Sequence, residues 1–542
     1  MAVLVWPPVA CLVATATSPP LIVVVVTLIL LCYAVVQYLD GKRIESYFAA
    51  KSGAVRLAIR NKGVFGIRRF LSLTRSFREY EVMEYMARDF EKFGNTFSTK
   101  VFGQLSHWTI EPENVKAILA TKFHDFGLGT RYNAFLPFLG EGIFTLDNAG
   151  WAHSRAMLRP QFRRQQVSDV AMLEPHVQNL MSYLARIRTE SCDIQELFYR
   201  MTLDTATEFL FGESVHSLCG TAEFSNREAD NIFVDVFDAG KRSFADAFNY
   251  CQEVLAIRAI LRSFCWLHNP RDFRDNAAVA HSFVDYYVNK ALEVYREGPE
   301  RIEEITTGRY IFLYSLVQET QDPKVLRDQL LNILLAGRDT TAGLLGWTFY
   351  LLATHPRVFE KLRHEIIEKF GDNANSEGKE KISFESLKGT LYLRYVLSEV
   401  LRLYPSVPLN YRCAVQDTVL PIGGGSDGKL PVLVRKGDTV AYSVYVMHRR
   451  KDIYGDDADE FKPERWAEGK TWSWEYLPFN GGQRICLGQQ YALTEAGYTI
   501  VRLLQEYDTL ESTESPQRFP LKRAMLTMSK ATGVHVKLYR KN

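Results

Sequence analysis

The most informative stretch of this chain is Phe479-Asn480-Gly481-Gly482-Gln483-Arg484-Ile485-Cys486-Leu487-Gly488. Its glycines give a loop unusual backbone freedom. Phe479 can shield the sulfur of Cys486, and Arg484 can bind an anionic group through a charge-assisted hydrogen bond. A lone cysteine is most often a buried free thiol. This context favours the alternative, a thiolate that ligates a haem iron from a loop lying against the porphyrin face.

Composition and charge narrow the remaining function classes. The chain has 542 residues, 24% of them charged, and a formal net charge of +2. This low charge, without a basic stripe of interleaved aromatic residues, predicts no nucleic-acid partner. The eight cysteines form no CxxC pair, so neither a zinc site nor a disulfide scaffold is expected. No Pro/Gly/Ser-rich linker divides the chain, which favours one large catalytic body.

An apolar run near the N-terminus predicts a membrane anchor. Leu21 to Leu39 (LIVVVVTLILLCYAVVQYL) has nineteen residues, about what a ~30 Å hydrocarbon core requires. The alternative is a cleaved signal peptide, which would have a shorter apolar region and a basic start. Basic residues follow the run and none precedes it, so the positive-inside rule places the body in the cytosol. These residues are Lys42, Arg43, Lys51, Arg56, Arg60, Lys62, Arg68 and Arg69.

The expected organisation is a short lumenal N-terminus (1–20), a transmembrane anchor (21–39), a basic linker (40–70) and one catalytic domain (71–542). The domain is predicted to be mainly α, in broad terms α+β, with small sheets. Helical periodicity dominates from about 148 to 371, most clearly over Gln329–Leu352. Strands are expected over Cys413–Val446, a last helix over Gln489–Glu506, and a hairpin at the C-terminal end.

The cysteine-containing stretch resembles the haem-binding signature of the cytochrome P450 family, Phe-x-x-Gly-x-Arg-x-Cys-x-Gly. This resemblance implies the cytochrome P450 fold, with haem b between a distal and a proximal helix and Cys486 as the axial iron ligand. It also implies that Phe479, Arg484 and Gly488 contact the haem. One departure is Gln483, where proline is frequent, but the position is variable in the family.

Two further stretches resemble the family's structural network. Glu399-Val-Leu-Arg402 matches Glu-x-x-Arg, whose two side chains share a helix face at i and i+3. By resemblance, these two residues form an ion-paired network with Arg465 of Phe461-Lys-Pro-Glu-Arg-Trp466. The alternative for Glu399 and Arg402 is an exposed helix pair, worth a few tenths of a kcal/mol.

Ala336-Gly-Arg-Asp339-Thr340-Thr341 resembles the distal helix motif of the family. Reduction of dioxygen in an apolar pocket needs protons, which Thr340 can hold close to the iron and Asp339 can supply from solvent. Both are therefore predicted to be catalytic. The alternative is that the threonines only donate hydrogen bonds to helix carbonyls.

Three other residues are candidate haem contacts. Trp151-Ala-His-Ser-Arg155 resembles Trp-x-x-x-Arg, whose side chains contact a haem propionate, although an ordinary amphipathic pair has the same spacing. Arg412 lies where the family often has another propionate partner, and residues in Val407–Asn410 are expected to line the substrate pocket.

One stretch imitates a phosphate-binding loop. Gly423-Gly-Gly-Ser-Asp-Gly428-Lys429 fits G-x-x-x-x-G-K, but such a loop needs Ser or Thr next and then a helix. Here Leu430 and a strand-like stretch follow, so a hairpin turn is expected.

Further stretches of the sequence, such as Gly142-Ile-Phe144-Thr145 and Phe479–Ala496, resemble the fungal alkane and fatty-acid hydroxylase branch of the family. The implied activity is terminal (ω) hydroxylation of long-chain fatty acids or alkanes, so the expected partner is a small hydrophobic substrate. The implied electron source is NADPH through a separate flavoprotein reductase, with cytochrome b5 as a further candidate partner. The expected location is the endoplasmic reticulum membrane, in contact with lipid. Two rival functions remain at this point, tailoring oxidation of a fungal polyketide or terpenoid and a non-catalytic haem sensor.

Overall fold

The computed structural model describes residues 19–540 apart from 62–65, 188–189, 219–242, 307–308, 373–376, 468 and 516–518. Helices dominate this part of the chain, as the apolar periodicity predicts. In chain order they are α1 (Pro19–Ser52), α2 (Ile67–Arg78), α3 (Val82–Phe93), α4 (Pro112–Lys116), α5 (Arg131–Leu139), α6 (Asn148–Leu158), α7 (Arg164–Val167), α8 (Glu174–Ile187), α9 (Ile194–Phe211), α10 (Phe244–Leu261), α11 (Arg271–Glu297), α12 (Pro299–Thr306), α13 (Phe312–Glu319), α14 (Pro323–Thr354), α15 (Pro356–Phe370), α16 (Phe384–Lys388), α17 (Leu391–Leu403), α18 (Val444–Met447), α19 (Lys451–Tyr454) and α20 (Gln489–Glu506).

Short strands form small sheets beside the helices. The strands are β1 (Thr96–Val101), β2 (Gln104–Thr109), β3 (Phe126–Gly127), β4 (Cys192–Asp193), β5 (Leu409–Ala414), β6 (Thr418–Gly424), β7 (Leu430–Val434), β8 (Thr439–Ser443), β9 (Thr509–Ser512), β10 (Lys522–Ala524), β11 (Met528–Lys530) and β12 (His535–Tyr539). The largest described sheet has the order β1-β2-β8-β5-β3, and the others are β6-β7, β4-β12-β9 and β10-β11. The mainly helical architecture with small sheets is the predicted one.

Helix α14 is the central element of the body. Asp322 caps it by accepting hydrogen bonds from the backbone N–H groups of Lys324 and Val325, which otherwise lack helical partners. Most of its length is buried, with Leu334 in one apolar cluster and Trp347 in another. Trp347 stacks on Tyr404, with ring centroids 3.9 Å apart. This burial fixes the helix that carries Asp339 and Thr340.

The glycine-rich stretch that imitates a phosphate loop is a hairpin turn, as expected. Strands β6 and β7 pair in antiparallel orientation on either side of it. Gly423, Gly425 and Gly428 all have positive φ angles, between 72° and 112°, a region that L side chains rarely adopt. No helix follows, so the stretch lacks the geometry of a phosphate loop.

The predicted C-terminal hairpin is wrong. Strand β11 pairs with β10, whereas β12 pairs with β9 and β4. The alternating pattern identified strand conformation correctly but could not identify partners. Those partners for β12 come from Cys192–Asp193 and Thr509–Ser512, and pairings so distant in sequence leave no local trace.

Helix α1 extends beyond the apolar run at its C-terminal end. Val23–Ser52 is long and apolar enough to cross a membrane by length and composition, and side chains such as Leu30 are exposed. The chain then joins the body, where Val55 bridges to Val432 in β7. Of the predicted lumenal segment, residues 1–18 lie outside the described part of the chain.

Candidate active site

The loop before Cys486 has a tightly constrained backbone. Gly482 has φ +65°, and a Cβ atom there would lie 2.0 Å from the carbonyl oxygen of Leu119, so only glycine fits. The backbone N–H of Cys486 donates to the carbonyl oxygen of Phe479 at 3.0 Å. Burial raises the pKa of the Cys486 thiol, and a hydrogen bond from the Gly488 N–H opposes this shift. The loop therefore holds the sulfur beside a backbone donor.

Cys486 lies at a large internal cavity. The thiol has accessible surface although it is deep in the body, because it faces this cavity. The lining includes all seven predicted haem contacts and Thr340, but not Asp339. The predicted contacts in the lining are Trp151, Arg155, Arg412, Phe479, Arg484, Cys486 and Gly488.

Four arginines line the same cavity, namely Arg131, Arg155, Arg412 and Arg484. The guanidinium of Arg484 donates to Asp147 at 2.6 Å and lies 4.5 Å from the centre of the Trp151 ring. Burial, followed by the charge of Arg412, lowers the pKa of Arg484 to about 9, while Asp147 opposes this shift. So many cations crowded together indicate that the cavity is built for an anionic ligand.

The other arginines are held by neutral oxygens. Arg155 donates to the carbonyl oxygen of Ile485 at 3.0 Å. Arg412 donates to the carbonyl oxygen of Tyr411 at 2.8 Å, and Arg131 donates to the Asn410 side chain at 2.8 Å. These contacts orient the guanidinium groups without neutralising them. A porphyrin with two propionates fits this donor set, with the Cys486 sulfur on one side and arginines at the edge.

Thr340 lies across the cavity from the cysteine loop, on α14. Its hydroxyl donates to the carbonyl oxygen of Ala336 at 2.6 Å. This is the hydrogen bond within the helix that the alternative interpretation of Thr340 predicts. Ser406 donates to the carbonyl oxygen of Thr340 at 3.0 Å. A Cβ atom added to Gly337 would meet no other atom within 4 Å, so the helix surface beside Thr340 is open to the cavity.

Asp339 points to the side of α14 away from the cavity lining. It is buried, and its Oδ1 atom has no hydrogen-bond partner within the described residues. Burial raises the pKa of this carboxyl group, whereas Arg338, at 3.5 Å, and a hydrogen bond with Gln252 lower it. Arg523 also lowers the pKa and forms an exposed ion pair with Glu253. Asp339, which is part of α14, thus lies between the cavity and the protein surface.

Glu399, Arg402 and Arg465 come together on the cysteine side of the core. Arg402 donates twice to Glu399, at 2.8 and 2.9 Å, and Arg465 donates to the same carboxylate at 3.3 Å. Trp466 donates a further bond at 3.0 Å. The side chains of Glu399 and Arg402 are fully buried, so this is not an exposed helix pair.

His448 is part of the same buried core. Its Nδ1 contacts the carbonyl oxygen of Arg402 at 3.1 Å, and its Nε2 accepts from the Leu477 N–H at 2.9 Å. Burial is the main cause that lowers its pKa to about 3. The ring is therefore neutral and structural.

Sequence reasoning missed one residue that lines the site, Arg131, and two that contact its lining, Asp147 and Glu495. Arg131 and Asp147 lie outside the family patterns, and only the charge of Arg131 could have suggested a role. Glu495, on α20, is fully buried, accepts from Thr205, and has a pKa that burial raises to about 7 against the opposing effect of Thr205 and Thr341. The position of Glu495, nine residues after Cys486, matches no pattern that would have predicted a role for it.

The fold and the site define a class of enzyme that binds an iron porphyrin through a cysteine thiolate and oxidises substrates on it. The family model for cytochrome P450 matches residues 69–536, and the chain belongs to the cytochrome P450 family. It is a haem-thiolate monooxygenase, as the signature around Cys486 predicts.

Curated relatives extend the similarity over most of the chain. It is 54% identical to cytochrome P450 52A13 of Debaryomyces hansenii over 443 residues, which cover 82% of this chain and 83% of the relative. It is 52% identical to cytochrome P450 52A5 of Candida maltosa, covering 82% of each chain. It is also 48% identical to cytochrome P450 52A9 of Candida maltosa, covering 95% of this chain and 97% of the relative.

Proposed function

We propose that this enzyme hydroxylates the terminal (ω) carbon of long-chain fatty acids or alkanes. The observation that carries the proposal is the apolar wall of the cavity between Cys486 and α14. The apolar lining residues include Leu128, Ile143, Phe144, Phe162, Phe209, Leu210, Ile333, Leu344 and Val407. Such a wall suits an alkyl chain, because removing apolar surface from water drives binding without directional contacts.

The overall reaction is R–H + O2 + NADPH + H⁺ → R–OH + H2O + NADP⁺. Haem b, when bound, supplies dioxygen activation and the oxidation chemistry. Cys486 would supply the thiolate ligand, and Phe479 and Gly488 shape the loop that carries it. Arg155, Arg412 and Arg484 would hold the propionates, and Trp151 packs against the Arg484 guanidinium.

Thr340 and Asp339 deliver the protons that the reaction consumes. The Thr340 hydroxyl can turn from the Ala336 carbonyl oxygen towards the open surface at Gly337 and hold a proton there. Because its pKa is raised by burial, Asp339 binds a proton more readily than an exposed carboxyl group. It can pass the proton inward and regain one from the surface near Gln252.

Regioselectivity has to come from the shape of the cavity. Terminal C–H bonds are the strongest in an alkyl chain, so an unselective oxidant would attack internal carbons first. A narrow channel that presents only the chain end to the reacting centre overcomes this preference by orientation. The walls around Phe162, Phe209 and Leu344 are the candidates for that restriction.

The electrons come from NADPH through a separate flavoprotein reductase, with cytochrome b5 as a further candidate donor. Helix α1 anchors the enzyme in the endoplasmic reticulum membrane with the catalytic body in the cytosol. A glycosylation acceptor site engineered before residue 18 tests this orientation, because only a lumenal N-terminus will be glycosylated. Lack of glycosylation there, combined with glycosylation of an acceptor engineered on the body, would reverse the proposed orientation.

Product analysis tests the proposed activity. The full chain is reconstituted with a fungal reductase, NADPH and a mixed panel of long-chain fatty acids and alkanes, and the products are identified by mass spectrometry. A terminal alcohol or diacid is the expected result. An intact carbon-monoxide difference spectrum without any product would instead favour tailoring of a dedicated secondary metabolite.

A further inference from the structure

A second cleft lies on the opposite side of the five-stranded sheet from the substrate cavity. Successive residues of a strand face opposite sides. Asn410 and Arg412 of β5 line the substrate cavity, whereas Cys413 lines the second cleft. In the sheet, Cys413 lies opposite Thr439 in β8, and Thr439 lies opposite Ser106 in β2. The β-sheet thus separates two sites with different walls.

The second cleft is strongly basic. Its lining includes Arg56, Lys100, Arg435 and Lys436, with Asp438 as its acidic member. The Asp438 carboxylate faces inward, where it accepts from the Arg435 backbone N–H at 3.0 Å and contacts His107 at 3.2 Å. It therefore neutralises little of the charge at the surface of the cleft.

Part of this positive charge is unpaired. Arg56 pairs with Glu45 at 2.9 Å and Arg435 with Asp417 at 3.0 Å. Lys100 and Lys436 are exposed and form no ion pair with any described residue. Within the described part of the chain, the cleft therefore has two exposed ammonium groups without an ion-pair partner.

In addition to Lys100 and Lys436, one arginine without an ion-pair partner among the described residues lies against the same face of the sheet. Arg262 donates to the Ser106 hydroxyl at 2.8 Å and forms no ion pair with the described carboxylates. The Tyr411 hydroxyl, on the strand that carries Cys413, is buried without a hydrogen-bond partner in the described structure. These groups leave donor capacity unused next to the cleft, which an anion would satisfy.

Exposed apolar side chains follow Ser263, a residue that lines the basic cleft. Trp266 and Leu267 follow directly after Arg262 and Ser263, and both are more than 60% exposed. Phe264 packs edge-on against Phe102 in the β1–β2 turn at 5.8 Å. A water-soluble anion would gain nothing from such neighbours, whereas an anion that carries acyl chains would bury them.

The position of α1 indicates where such a ligand comes from. The helix ends at Ser52, and Arg56 and Ile59 of the following segment line the cleft. Asp40, just after the apolar run, lies 4.0 Å from Arg435. If α1 anchors the protein as proposed above, the cleft lies at the height of the phospholipid headgroups, where basic residues attract anionic lipids and tryptophan is favoured.

We propose that this cleft binds the phosphate headgroup of an anionic phospholipid, with the acyl chains against Trp266 and Leu267. The inference rests on the proposed anchor but not on the proposed substrate. The site also has a physical connection to the active site. Arg258, one turn before Arg262, donates to the carbonyl oxygens of Asn133 and Ala134 in α5, the helix whose Arg131 lines the substrate cavity. Lipid binding would thus fix the orientation of the body and steady one wall of the cavity.

The test uses the full chain in nanodiscs made from a mixture of phosphatidylserine and phosphatidylcholine. Co-elution of the Lys100→Ala/Lys436→Ala double variant with the nanodiscs first tests the anchor without the lysines of the cleft. Native mass spectrometry then identifies the lipids that the released protein retains. We expect phosphatidylserine to be enriched several-fold over its share of the bilayer. The Lys100→Ala/Lys436→Ala double variant is expected to reduce this enrichment to the bilayer ratio.

The matched control is Lys381→Ala/Lys388→Ala, which removes two exposed lysines on and just before α16 and is expected to leave the enrichment unchanged. Equal enrichment in the two double variants would overturn the proposed site. Loss of the enrichment on addition of inorganic phosphate, at unchanged ionic strength, would assign the cleft to a soluble anion and also overturn the lipid proposal. A chain that fails to enter nanodiscs would overturn the anchor itself, and with it the lipid source.

Discussion

Cys486 differs from the other described cysteines in the surroundings of its sulfur. Cys251 and Cys265 are buried in the apolar core, and Cys413 faces the basic cleft. Cys486 alone of these lies beside the arginine-lined cavity, where burial raises the pKa of its thiol and the Gly488 backbone N–H and Arg155 oppose that shift. Its environment, more than its identity, distinguishes it as an iron ligand.

We expect Cys486→Ser to abolish the carbon-monoxide difference band of a thiolate-ligated haem, because a serine hydroxyl is a far weaker donor to iron. The control is Cys413→Ser, which should retain the full band since its sulfur faces another cleft. Retention of the band in Cys486→Ser would contradict the assignment of the ligand.

Thr340→Ala is expected to uncouple NADPH consumption from product formation. Without the hydroxyl, protons are no longer held beside the reacting centre, so product formed per NADPH should fall by at least about tenfold. The control is Thr348→Ala on the same helix, whose hydroxyl also bonds to a helix carbonyl, that of Leu344 at 2.7 Å, but is fully buried. Normal coupling in Thr340→Ala would remove Thr340 from the proton relay.

Glu495 makes stability depend on pH. Burial raises the pKa of Glu495 in the folded protein to about 7, above the ordinary value of 4.5 for a glutamate, so the folded protein binds this proton more tightly than the unfolded chain. The free energy of unfolding must then fall as pH rises from 4.5 to about 7. A tenfold change in proton affinity corresponds to about 1.4 kcal/mol, so the fall is about 3 kcal/mol.

Glu495→Gln should remove this part of the pH dependence, measured as denaturant unfolding of the full chain across the same range. Glu360→Gln, at an exposed position on α15, should follow the wild-type profile. Parallel profiles for wild type and Glu495→Gln would show that the carboxyl group is ionised throughout.

At the level of elements, the Glu399 network joins α17 to the segment that precedes the cysteine loop. Arg402 also donates to the carbonyl oxygens of His448, Ala458 and Glu460, at 2.6 to 3.1 Å. One buried guanidinium thereby fixes the path of a long irregular stretch. Irregular backbone in the interior needs such partners, since its polar groups cannot reach water.

Arg402→Ala is expected to lower the free energy of unfolding by about 3–5 kcal/mol, because it leaves the Glu399 carboxylate buried without its main partner. Arg200→Ala removes an exposed arginine that pairs with Glu196 and should change stability by less than about 0.5 kcal/mol. Similar losses in the two variants, measured by denaturant unfolding, would contradict a stabilising role for the buried network.

The sequence was most informative where a pattern is local. The boundaries of α20, the core of α14 and the β6–β7 hairpin follow from apolar periodicity and glycine positions. The pairing of the C-terminal strands was predicted wrongly because β12 takes its partners from β4 and β9. The arginine cluster was incomplete for the same reason, because Arg131 reaches Arg412 only through the folding of distant segments.

The two faces of the five-stranded sheet have different surroundings, which makes the whole molecule asymmetric. One face bounds an apolar, haem-binding cavity, and the other bounds a basic cleft beside exposed apolar residues and α1. If α1 spans the membrane as proposed, Trp266 and Leu267 lie on the membrane-directed side, and we expect the body itself to contribute to membrane contact. The anchor and the body should then make separable contributions to membrane binding.

Removal of residues 1–39 separates these contributions. The truncated chain should keep its carbon-monoxide difference spectrum, because the core and the cysteine loop are built from later residues. Its partition into vesicles should fall sharply yet not to zero, since losing the apolar part of α1 removes most of the buried apolar surface but leaves Trp266 and Leu267. Removal of residues 1–18 alone is the control and should leave partition high, because this truncation keeps the whole apolar run from Leu21 to Leu39. Vesicle flotation measures the partition of the two truncated chains. Full membrane retention of the longer truncation would mean that the body surface, and not α1, is the principal anchor.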